Sequence, residues 1–244
     1  MLFAPENEDG GDEEDQPTLP ANYGIYGWNV DIENSGNISI TQQNKKVEDI
    51  FGIVAEESNI NNRGTITLNG NGSAVYAGGG NLINSGTVTL NGDGYGLIAE
   101  DGTLTNSGTV SLNGYGYAIL GSNGDVVNSG NVYLNGSGWA VYAENANLTN
   151  NSSGSINITA DNLEKVSGLT LNGNGFLLTN DASVVLTSGA GKVTQTAKAI
   201  DGGTNNITNN GELTIGSNSV LFDDAYGIFG TGGNIANSGI ISLY

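Results

Sequence analysis

The chain has 244 residues and a formal charge of −19, from 25 Asp and Glu against 6 Lys and Arg, and it contains neither Cys nor His. Gly supplies 40 residues and Asn 36, both poor helix formers that favour turns, so a compact helical domain is excluded, and 3 Pro without a Gly-X-Y period exclude collagen. Binding phosphate backbones takes several Lys or Arg on one face, so no nucleic-acid partner is expected, and the missing thiols and imidazoles remove disulfides, Cys nucleophiles and His-based metal or proton chemistry.

Residues 1–20 crowd Glu6, Glu8, Asp9, Asp12, Glu13, Glu14 and Asp15 together without a positive charge. Such a run repels itself and has nothing to bury, which predicts a disordered acidic tail. Carboxylates also suit calcium, but the spacing of an EF-hand loop is missing. No basic region followed by an apolar one marks a signal peptide, and no apolar stretch approaches eighteen residues, so no direct membrane insertion of this segment is expected.

From residue 21 to 244 one pattern repeats. Its clearest copies are INSGTVTLNG (83–92), TNSGTVSLNG (105–114) and VNSGNVYLNG (127–136), and weaker copies bring the total to nine units. Two and four residues after the repeat glycine come paired aliphatics such as Val88/Leu90, Val110/Leu112 and Val132/Leu134, separated by Thr, Ser or Asn. Period-two alternation of this kind predicts a strand with one buried face. A second strand lies ahead of each glycine and carries an aliphatic third position in all nine units, among them Ile53, Val75, Leu97 and Ile119.

A third short strand leads into an asparagine found in every unit: Asn34, Asn62, Asn84, Asn106, Asn128, Asn150, Asn180, Asn209 and Asn237. Alternation turns these amides inward, where each needs a hydrogen-bond partner. Stacked identical coils supply one, because each amide can bond its counterpart in the next coil. The glycine after the Asn is read as a corner residue with positive φ. The pattern therefore predicts an all-β fold, a right-handed parallel β-helix of about nine coils and roughly 40 Å, with three short strands per 22–29-residue coil. A stack of antiparallel hairpins is the alternative, and it predicts no Asn ladder. The last coil is read as truncated after one strand, leaving an open edge for end-to-end self-association.

The motif NSGTVTLNG together with YGIYG, repeated with variable loops over residues 21–244, resembles passenger domains of type V autotransporters, particularly the fusobacterial-type β-helical adhesins. The resemblance implies a surface-displayed stalk or adhesin segment, excised from a longer passenger. It implies attachment to a host-cell or bacterial surface protein or glycan receptor. The location implied is the extracellular face of the outer membrane, or the secreted medium.

Two surfaces are candidates for that contact. The fourth position of the aromatic strand holds Tyr26, Tyr76, Ile98, Leu120, Tyr142 and Phe229, with Val54, Thr170 and Asp201 in the remaining units. Alternation turns it outward, which predicts an exposed apolar ridge for a partner. The exposed aromatics Tyr95, Tyr117 and Trp139 are candidates for stacking on sugar rings. No enzyme is expected and no cofactor or metal. The alternative is a carbohydrate-binding or carbohydrate-cleaving β-helix, in which the carboxylate pairs Glu56/Glu57, Glu100/Asp101 and Asp223/Asp224 would have to act. Those pairs fall in or beside turns, where carboxylates are solvated. The outward pairs Thr65/Thr67, Thr87/Thr89 and Thr109/Ser111 resemble the hydroxyl grid of ice-binding solenoids, but the grid decays into Asn131/Tyr133.

Overall fold

A computed structural model describes residues 22–42, 50–160, 165–188, 192–219 and 221–244. The acidic tail lies outside the described residues. All strand pairing is parallel, and the strands stack into a β-helix with three faces. The antiparallel hairpin alternative is thereby excluded.

The Asn face is a nine-stranded sheet running from Ile32–Asn34 to Ile235–Asn237. The aliphatic face runs from Asn37–Thr41 to Ile240–Leu243, and the aromatic face from Tyr23–Trp28 to Leu221–Gly230. Register is kept without slippage through the middle coils: Leu82, Leu104 and Val126 align, as do Val88, Val110 and Val132. A one-residue slip would turn every aliphatic outward, so the pattern itself enforces this alignment. The core is the stack of these ladders, with Leu68, Leu90, Leu97, Leu112 and Ile119 fully buried. Adjacent rungs lie about 4.8 Å apart, so the rod is about 40 Å long.

Three features differ from the sequence reading. First, the aliphatic and aromatic strands fuse in the middle coils into continuous strands, Thr109–Ser122 and Asn131–Glu144. The Gly-x-Gly bends that join them have φ of +159° and +146° at Gly114 and Gly116, and +148° and +113° at Gly136 and Gly138. Only glycine takes those angles readily, and with them the ladder stays paired around the bend. Second, the glycine after each ladder Asn has no positive φ. It is required by contact: a Cβ on Gly86, Gly108 or Gly130 would lie 2.0 Å from the carbonyl oxygen of the equivalent glycine one coil back. Positive φ at a non-glycine corner occurs elsewhere, at Asn29, Glu57, Asp101, Asn123 and Asn145, where the chain leaves the aromatic face. Third, the ninth unit supplies a strand to all three faces, Leu221–Gly230, Ile235–Asn237 and Ile240–Leu243, rather than to one.

Candidate functional site

The inward ladder is complete. Asn34 Nδ2 donates to Asn62 Oδ1, Asn62 to Asn84, and so on through Asn106, Asn128, Asn150, Asn180 and Asn209 to Asn237, every bond 2.7–2.8 Å long. The second amide proton is used locally: Asn128 Nδ2 donates to Gly130 O at 3.1 Å and Asn180 Nδ2 to Ala182 O at 3.0 Å. Each rung therefore gives a buried amide a hydrogen-bond partner in the next coil. Its role is structural.

A second ladder was not read from the sequence. Asn135 Nδ2 donates to Asn113 Oδ1, Asn113 to Asn91 and Asn91 to Asn69, each at 2.7 Å, on the outside of the bend between the aliphatic and aromatic faces. The signal was present in the Asn-Gly repeated at 69–70, 91–92, 113–114 and 135–136. An Asn-Gly pair is also an ordinary turn signal, which accounts for that asparagine without requiring a stack.

The aromatic face carries the surface features. Tyr95, Tyr117 and Trp139 align in register and stack nearly parallel, with centroids 5.5 Å apart at 5° and 4.6 Å apart at 7°. Tyr23 and Phe51 form a separate stacked pair 5.4 Å apart. Ser73 takes the aromatic position in the coil between the two stacks, and Ser167 takes it in the coil after Trp139. Lys165 Nζ sits 5.3 Å from the Trp139 ring centroid. Both faces of Tyr117 are covered by its neighbours, so a sugar ring could stack only at the ends of this column.

The fourth-position residues do point away from the core, but they do not form an exposed apolar patch. Val54 and Ile98 are only 4% and 6% exposed, and Tyr76, Leu120, Tyr142 and Phe229 are half-buried. Only Tyr26, in the first coil, is exposed. The cause is lateral cover from the aromatic column and from the strand ends. Tyr142 packs edge-on against Tyr117 and Trp139, Phe229 against Tyr226, and Tyr76 Oη donates to Glu100 Oε2 at 2.8 Å. Burial raises the hydroxyl pKa of Tyr117 to about 12, helped by Tyr142, Tyr95 and Tyr115 around it and by Glu144. Burial and then the bond to Glu100 push Tyr76 well above the ordinary tyrosine value.

The carboxylates form columns beside the rings. Glu56, Glu100 and Glu144 share one register column, with Gly78 and Ser122 in the coils between. The outward Thr65, Thr87 and Thr109 also align, and so do Thr67, Thr89 and Ser111, before Asn131 and Tyr133 replace them.

Chain insertions concentrate on the corner where the aliphatic face turns into the aromatic face. In the middle coils that corner is one residue between two glycines, as in Gly136-Ser137-Gly138. Longer connections replace it between Thr41 and Ile50, Ala160 and Val166, Ser188 and Lys192, and Ile215 and Leu221. In repeat architectures such insertions map to one face, commonly the binding face. The coils that carry Tyr95, Tyr117 and Trp139 keep the short Gly-x-Gly corner.

These features define the chain as a parallel β-solenoid with a complete internal amide ladder. No known protein family, curated protein or solved structure matches it.

Proposed function

We propose that this solenoid is a surface-displayed stalk or adhesin segment of a bacterial autotransporter passenger, and that it contacts its receptor through the aromatic face. The β-helical architecture is compatible with such a stalk, and the sequence motifs resemble that family. The observation that carries the choice of face is the ring column Tyr95–Tyr117–Trp139, three aromatic side chains stacked in register on one outer face. The role is binding and spacing, without catalysis. Of the carboxylate pairs proposed for a carbohydrate-cleaving reading, Glu56/Glu57 and Glu100/Asp101 lie at a strand end and the corner after it and Asp223/Asp224 inside the strand Leu221–Gly230, and Glu57, Glu100, Asp101, Asp223 and Asp224 are exposed.

The test is binding of the purified chain to host cells and to partner bacteria, with a glycan array alongside. The informative variant replaces Tyr95, Tyr117 and Trp139 together by Ser, the residue that stands at this position in two other coils. Loss of cell binding with an unchanged melting temperature supports the aromatic face as the contact. Equal binding by the variant moves the contact elsewhere, and no binding by the native chain reduces the segment to a spacer.

A further inference from the structure

At the edge of the ring column the corner residues form a cavity of about 240 Å³, lined by Asn71, Asp93, Tyr95, Tyr115 and Tyr117, with Gly94 and Gly116 as its backbone. That volume suits one side chain rather than an oligosaccharide, since sites for drug-sized ligands begin at about 300 Å³. The cavity is rigid at its charged wall. Asp93 Oδ1 accepts the backbone N–H of Tyr115 at 2.8 Å, and Asp93 N donates to Asn71 Oδ1 at 3.0 Å, so the coils on either side pin the carboxylate.

We propose that this cavity receives an alkylammonium group, as carried by a lysine side chain of a partner protein. This deepens the contact-face reading above by naming the chemistry of the partner. Three observations converge on it. The wall offers three tyrosines and one carboxylate, and an ammonium group is attracted by ring faces, phenolic oxygens and carboxylates alike. Tyr95 has one face that no described ring covers, because its neighbour in the preceding coil is Ser73. The aromatic face also already holds ammonium groups of this chain: Lys165 Nζ lies 5.3 Å from the Trp139 centroid and Lys198 Nζ 3.7 Å from that of Phe229. Both fall within the roughly 6 Å reach of a cation–π contact. The charge of −19 adds a field that attracts basic partners. A pyranose would find no free face on Tyr117 and would leave the Asp93 charge uncompensated.

The test uses the full chain labelled with ¹⁵N, titrated with Nα-acetyl-lysine methylamide while the amide signals of Gly94 and Gly116 are followed. The same titration is run with the Nε-acetylated compound, which keeps the stem and loses the charge, and with methyl β-galactoside. Saturable shifts are expected for the ammonium compound, at least tenfold weaker binding for its neutral counterpart, and none for the glycoside. Asp93→Asn should weaken the ammonium compound at least fivefold without altering the fold, since Asn71 occupies the equivalent corner one coil back. Asp125→Asn, with the same change in net charge at a different corner, should leave binding within about twofold.

Equal binding of charged and neutral compounds, an equal loss in both variants, or saturation by the glycoside instead would overturn the assignment. Cell binding by a chain that ignores the ammonium compound removes this inference and leaves the proposed function standing. Ammonium binding by a chain that attaches to no cell does the reverse.

Discussion

Asn106 donates its side-chain amide to Asn128 Oδ1 at 2.8 Å, one coil further along the rod. On the outside of the same coils Asn113 donates to Asn91 Oδ1 at 2.7 Å, one coil back. The two amide chains thus run in opposite directions, the inner one buried from Asn34 to Asn209 and the outer one exposed or half-buried. A lost rung in the buried chain cannot be repaired by water, whereas one in the exposed chain can.

Asn106→Leu should therefore destabilise far more than Asn91→Leu. The buried substitution strands the Asn84 donor and the Asn128 acceptor, at about 1–3 kcal/mol for each unsatisfied group. The exposed one should cost less than about 1 kcal/mol, because the freed amides of Asn69 and Asn113 bond water. Urea midpoints of the two variants check this, and equal midpoints would show that the inner ladder contributes nothing special.

Gly108→Ala places a methyl group 2.0 Å from Gly86 O, so the coils must part. Overpacking of this kind costs about 1–3 kcal/mol. The same exchange is native at Ala182, which follows the longer Asn150–Ser155 turn. Ala182→Gly should accordingly have a much smaller effect than Gly108→Ala. Thermal melts of the pair decide the point, and comparable losses would contradict the steric reading of the repeat glycine.

Alkaline pH should loosen the aromatic face. The Tyr117 pKa is raised from 10.0 to about 12 in the folded chain, so its stabilising contribution is complete below pH 10. Between pH 10 and 12 the unfolded chain releases that proton first, and stability falls as pH rises through the window. Tyr117→Phe should flatten this part of the profile. Tyrosinate absorbance together with denaturant midpoints from pH 9 to 12 provides the measurement, and a native chain with no loss across the window would refute it.

In a polypeptide that ends at Tyr244, the ninth coil presents apolar side chains at its outer edge, with Ile235, Ile240, Ile241, Leu243 and Tyr244 all exposed. Unpaired strand edges recruit other chains. Repulsion from the net charge is screened beyond about 8 Å at 0.15 M salt, while edge pairing acts at contact. This polypeptide should form dimers or short end-to-end assemblies that grow with concentration and salt, and Ile240→Lys with Leu243→Lys should abolish them. Light scattering that reports a strict monomer at both low and high salt would count against end-to-end pairing.

The solenoid and its interior are legible in the residues alone. The aliphatics at Val88/Leu90 and their counterparts alternate with period two, which leaves one choice of buried face, and an Asn recurring beside them is stable inside only if it is stacked. What the residues alone do not determine are distances between coils and cover from the side. The close approach of Gly86 and Gly108, rather than any special φ, makes glycine obligatory there, and only the stacked backbones reveal it. Alternation correctly turned Ile98 and Tyr142 away from the core, yet Tyr117 and Trp139 pack against Tyr142, and Ile98 is buried. The Asp93 cavity joins residues from three consecutive coils, Asn71, Asp93 and Tyr115. Alternation within one strand says which side a residue faces. Which neighbours it meets there depends on the coils above and below, and that is decided by the tertiary stack.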